Sequence, residues 1–148
     1  AQTPEALQFL ELERELGVDQ IGYSESFRHR VEHVRGGLLD LLRGLRAGGA
    51  TIAGYGAAAK GSTLLNYVGI GTDLVDFVVD RNVHKQGLYM PGTHQPILDT
   101  TALVERRPDY VLLLAWNFAD EIVAQQQDYL AAGGRFIRPV PEPEIMST

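Results

Sequence analysis

Thr51-Ile52-Ala53-Gly54-Tyr55-Gly56-Ala57-Ala58-Ala59-Lys60-Gly61 is the stretch on which the reading of this chain turns. Thr51 to Tyr55 is a short strand-forming run, and a helix-forming segment through Leu64, Leu65 and Tyr67 follows it. Gly54, Gly56 and Ala59 satisfy the G-x-G-x-x-G/A spacing at the junction. A backbone without Cβ atoms can bring its N–H groups, and the positive end of the helix, onto a phosphate. Lys60 places an ammonium near the same point. The lysine precedes the next glycine and the spacing is wrong for a Walker A loop, which excludes that motif.

Outward from this turn the pattern repeats. Val75 to Asp80 reads as a second strand, closing on a carboxylate about twenty residues beyond Ala59, where ribose hydroxyls are accepted in dinucleotide sites. Gln95 to Leu98 is a short third strand, and Thr100 to Arg106 a short helix. Asp109 to Trp116 is apolar on both faces, as an internal parallel strand is, and a helix from Phe118 to Ala132 leads to a last strand, Arg135 to Val140. Upstream, Thr3, Pro4 and Gly17 bracket one helix. A second begins near Ser24 or Ser26 and carries Phe27, Val31, Val34, Leu38, Leu41 and Leu45 as one apolar stripe. Strands alternating with helices predict an α/β fold: a Rossmann-like, open, mostly parallel sheet of about five strands, helices on both faces, preceded by two N-terminal helices. The expected division is 1–49 for those helices, 50–140 for the sheet domain, and 141–148 for a loosely held tail rich in Pro and Glu.

Composition narrows the chemistry. The 148 residues are 45% hydrophobic and 22% charged, ordinary for one globular domain. The absence of cysteine excludes disulfides, thiolate zinc sites, iron–sulfur clusters and cysteine nucleophiles. Thirteen Lys and Arg against 19 Asp and Glu give a formal charge of −6, which argues against non-specific nucleic-acid binding. No apolar run is long enough to cross a bilayer and no signal peptide opens the chain, so a cytoplasmic, membrane-free protein is expected. The first residue, Ala1, hints at an excised fragment.

In sheets of this kind ligands bind beyond the carboxyl ends of the strands. Four pieces are expected there: the glycine turn, the loop from Asp80, Pro91-Gly92-Thr93-His94, and Trp116-Asn117. In the loop, Asn82 and Lys85 are candidate contacts for a diphosphate or sugar hydroxyls, whereas Arg81 and Gln86 read as solvated. His94 is a candidate hydrogen-bonding group, and Asn117 an amide facing the crevice. His29 and His33 share a helix spacing, but Arg30 replaces the glutamate of a zinc motif and no third ligand is evident. No nucleophile pairs with a base, so no catalytic residue and no metal site are assigned. On these residues alone, a nicotinamide-dinucleotide-binding domain of an oxidoreductase and a non-catalytic docking domain stand beside a nucleotide-sugar-binding domain.

Three segments, Gly54 to Tyr67, Asp80 to Gly87, and Pro91 to Ile97, closely resemble the C-terminal domain of SAM-dependent sugar C-methyltransferases, with Val83 where many relatives carry proline. The resemblance implies that an N-terminal zinc-binding domain and a central SAM-binding domain belong to the same protein, and that neither is on this chain. It implies S-adenosylmethionine as the cofactor of the parent enzyme. For this chain it implies a sugar-nucleotide partner, typically a dTDP-linked deoxysugar, held for a reaction in the central domain. Gly54, Gly56, Lys60, Asn66, Asp80, Asn82, Lys85, His94 and Asn117 are the candidate substrate contacts, and the helix seam from Phe27 to Leu45 would help fix domain orientation.

Overall fold

Thr3 caps the first helix as its position predicts: its Oγ1 accepts the Ala6 N–H at 3.3 Å, and Pro4 opens α1 (Pro4–Glu15). The computed structural model describes residues 3–147. α2 (Ile21–Ala47) begins ahead of Ser24, because Ser26 Oγ donates back to Tyr23 O at 2.8 Å instead of capping an end. The chain divides into two compact units, Ala1–His33 and Val34–Thr148, so the division falls inside α2 rather than at its end. In the first unit α1 buries no residue, and Phe27 is 56% exposed. In the second unit Leu38 and Leu42, one helical turn apart, are fully buried. The stripe expected from Phe27 to Leu45 therefore packs only in its later part.

The sheet consists of β1 (Ile52–Tyr55), β2 (Val78–Val79), β3 (Ile97–Leu98), β4 (Tyr110–Leu113), β5 (Arg135–Arg138) and β6 (Glu144–Ile145), in the order β3-β2-β1-β4-β5-β6. All neighbours are parallel except β5 and β6. This is the Rossmann order, reversing between β1 and β4. Alternate residues feed two cores. Ile52, Leu112 and Leu114 pack with Leu38 and Leu42 of α2 and with Leu65 and Val68 of α3 (Ala59–Val68). Ala53, Tyr55, Val111 and Leu113 pack with Leu103 of α4 (Ala102–Arg106), Ile122 of α5 (Ala119–Gln125) and Tyr129 of α6 (Gln127–Ala131). Period-two alternation between two apolar layers is what a helix-covered sheet requires.

Three expectations are corrected. The second strand is regular only over Val78–Val79, because Asp76 turns its carboxylate back to Arg46 and to the Ile52 N–H. The single helix to Ala132 is interrupted: Trp116–Phe118 is a 3₁₀ turn, and Gln126 leaves helical geometry (φ −108°, ψ 39°), its side chain reaching the Tyr55 hydroxyl at 3.4 Å. The tail is not loose. Glu144–Ile145 pairs antiparallel with β5, making a sixth strand, and Met146 N–H donates to Phe136 O at 2.9 Å.

Candidate functional site

β1, β2 and β4 all end at one edge, where the strand order reverses. A cleft of about 240 Å³ opens there, walled by Tyr55 and Gly56 from the end of β1 and by Asp80 and Arg81 from the end of β2. Phe118, Glu121 and Gln125, from the segment after β4, complete it. Gly56 makes the turn possible in two ways. Its φ is +96°, and an added Cβ would lie 2.8 Å from the Ala115 Cβ. The close approach of helix to sheet is made at Gly61, where a Cβ would lie 2.7 Å from the Leu114 Cβ, and not at the exposed Ala59. Gly54 is buried within β1.

The turn delivers the chain into α3 with Ala58 at the cap position and no side-chain bond closing the helix end. The first amides of a helix have no partner within it and carry the positive end of its dipole. Lys60, in the first turn, rests its Nζ 4.8 Å from the centre of the Trp116 ring and 5.7 Å from that of Phe118. Among the described residues no carboxylate lies within ion-pair distance of it. Lys60 and Lys85 are the only lysines of the chain, and both sit at this edge.

Lys85 is used differently. Its ammonium donates to Ala57 O at 2.8 Å and pairs with Asp80 Oδ2 at 3.4 Å. The same oxygen accepts the Ala57 N–H at 2.7 Å, while Oδ1 accepts the Asn82 N–H at 2.8 Å. Asn82 Oδ1 in turn accepts the His84 N–H at 3.0 Å. Asp80, Asn82 and Lys85 thus clamp their loop onto the glycine turn. Gln86, read as solvated, bonds Asp80 O at 3.0 Å and Asp99 Oδ2 at 2.9 Å.

Asn66 and His94 are placed elsewhere. Residues 87–90 run back along β3, with an antiparallel bridge between Tyr89 and Pro96, so the Pro91–His94 turn lies at the amino end of the sheet. Gln95 beside it bonds Ile70 O, in the connection below α3. Asn66 Nδ2 donates to Ser62 O at 2.8 Å and Pro91 O at 2.9 Å, pinning that turn to α3. His94 is exposed with φ 62°, a left-handed backbone for a non-glycine residue. Asn117 is exposed in the 3₁₀ turn at the mouth, between Trp116 and Phe118.

The cleft wall contains residues that the sequence reading did not assign to a site. Arg81 is exposed, as its solvated reading expects, and its Nη1 donates to Gln125 Oε1 at 3.0 Å and lies 3.7 Å from Glu121 Oε1, which also accepts from Gln125 Nε2 at 2.8 Å. Burial raises the pKa of Tyr55 above its ordinary value, so its hydroxyl stays protonated. The available signal was position. Arg81 directly follows a strand-ending Asp80, and Glu121 and Gln125 are one turn apart in the helix after β4.

Comparison with known proteins accords with this geometry. The family model described as the C-methyltransferase C-terminal domain matches residues 1–141. The C-methyltransferase NovU of Streptomyces niveus is 42% identical over 144 residues, which is 97% of this chain but 34% of that protein. The chain therefore spans about a third of the length of that relative. With its Rossmann order, glycine turn and near-complete coverage by the family model, the chain belongs to the C-methyltransferase C-terminal domain family.

Proposed function

We propose that this domain holds a nucleotide-linked deoxysugar, of the dTDP type, while a carbon of the sugar is methylated by a SAM-binding domain of the same protein. The observation that carries the reading is the mouth at the strand-order reversal. There the α3 end without a side-chain cap and the ammonium of Lys60, without a carboxylate partner among the described residues, stand next to Phe118, one wall of a cleft of about 240 Å³.

The bonding at the end of β2 supports a site that does not take the ribose of S-adenosylmethionine or of NAD there. The carboxylate that would take a ribose at the end of β2, Asp80, already accepts the N–H groups of Ala57 and Asn82 and faces Lys85. On this reading the methyl donor sits in the other domain. Methyl transfer to carbon needs that carbon held in line with the sulfonium methyl group. Positioning of this kind is worth up to about 7–11 kcal/mol in the best cases. Gripping the remote diphosphate with Lys60 and the α3 amides spends binding energy far from the reacting carbon. Arg81, Gln125 and the protonated Tyr55 hydroxyl offer donors to the remainder of the ligand.

NMR titration of the chain with dTDP, NAD and SAM tests this. The expected result is amide shifts at Ala59, Lys60 and Gly61 with dTDP alone. Shifts with NAD in preference to dTDP favour the oxidoreductase reading, and silence from all three favours a docking domain. The chain alone transfers no methyl group, and detectable transfer overturns the assignment.

A further inference from the structure

We infer that Trp116 is a positioning residue for the diphosphate handle, acting through Lys60. The inference rests on the nucleotide-sugar reading and goes beyond it. A lysine side chain is long, and fixing it costs rotamer entropy. Most lysines that are fixed are fixed by a carboxylate, as Lys85 is by Asp80. That solution neutralises the charge and weakens its pull on a phosphoryl oxygen. Lys60 is held instead by the faces of Trp116 and Phe118, at 4.8 and 5.7 Å. A π face attracts an ammonium through its quadrupole and leaves the net charge in place. The 3₁₀ turn explains how both rings reach the same cation: residues two apart at the end of β4 are brought round beside the first turn of α3. Trp116 is only partly exposed and Phe118 is 54% exposed, so the pair packs partly against the protein and leaves part of its surface open to solvent.

The test uses the full 148-residue chain and follows binding of dTDP, inorganic pyrophosphate and thymidine by NMR. Trp116→Leu is expected to weaken dTDP and pyrophosphate about fivefold, the scale of a partly exposed cation–π contact, and to leave thymidine unchanged. Trp116→Phe, which keeps a π face, restores affinity to within about twofold. A second readout is built in, because Trp116 is the chain's only tryptophan. Pyrophosphate changes its emission in the wild type and leaves it unchanged in Lys60→Met. Unaltered or tighter pyrophosphate binding in Trp116→Leu overturns the inference, as does equal weakening of thymidine or failure of Trp116→Phe to rescue. If Lys60→Met abolishes binding while Trp116→Leu does not, the positioning role falls and the nucleotide-sugar reading stands. If the wild type binds neither dTDP nor pyrophosphate, the reading itself falls.

Discussion

The two ends of the sheet are built from similar residues to opposite effect. At the amino end polar side chains satisfy one another. Arg46 forms a two-pronged pair with Asp76 at 2.6 and 3.1 Å and donates as well to Asp73 O and Ala50 O. Asp109 accepts both the N–H and the hydroxyl of Thr51, at 2.7 and 2.8 Å. At the carboxyl end the turn is clamped by Asp80 and Lys85, but next to the clamp the helix end has no side-chain cap and Lys60 lies over aromatic rings, with no ion-pair partner among the described residues. On the proposed reading, the contrast is between one end built to be stable and another built to be filled. Asp76→Ala tests the first half most severely. It strands a half-buried guanidinium and frees the Ile52 N–H, so a loss of about 2–3 kcal/mol is expected in urea denaturation. A loss below about 0.5 kcal/mol, the usual range of a surface substitution, breaks the comparison.

Asp109 gives a smaller and pH-dependent effect. The Thr51 N–H and hydroxyl hold its carboxyl below the usual carboxylate range. A depressed folded-state pKa means the folded protein binds the proton less readily than the unfolded chain does. The contribution is therefore present above the ordinary aspartate pKa of about 4 and is lost as pH falls through the lower folded value. Asp109 is exposed, so the expected cost of Asp109→Asn at pH 7 is modest, about 1 kcal/mol. Melting curves of the two proteins between neutral pH and pH 3 should converge on the acid side. A gap that stays constant across that range would show that the charge of Asp109 contributes nothing.

Much of this architecture was legible in the chain because its causes are local. Alternating apolar runs and glycine stops placed the strands and their parallel arrangement, and the glycine turn after β1 located the mouth. What escaped had non-local causes. Glu144 and Ile145 look like tail, and become strand only because the edge of β5 stands beside them. Gln126 sits in a helical pattern, and leaves it for a hydroxyl on a residue 71 positions away. Asn66 and His94 lie in the segments on which the family resemblance was read, and spacing does not tell which end of the sheet they occupy. That depended on residues 87–90 doubling back along β3. Asp80 and Lys85 were found at the right place with their bonds turned inward, since spacing shows where a carboxylate stands and not what it already holds.

Lys60→Met is the smallest perturbation to the fold and the sharpest test of the contrast. Removing the charge deletes no ion pair among the described residues, and methionine keeps an apolar stem against Trp116 and Phe118. Stability should therefore change by less than about 0.5 kcal/mol, as for a surface substitution. Pyrophosphate affinity should nevertheless fall about tenfold, as expected for the loss of a charge-assisted contact of about 1.5–3 kcal/mol. The two readouts together carry the argument. A cation retained to hold the fold would register in the urea midpoint, and one retained for a ligand registers only when the anion is added. If Lys60→Met costs as much stability as Asp76→Ala, the carboxyl end is stitched like the amino end, and the mouth is only a seam.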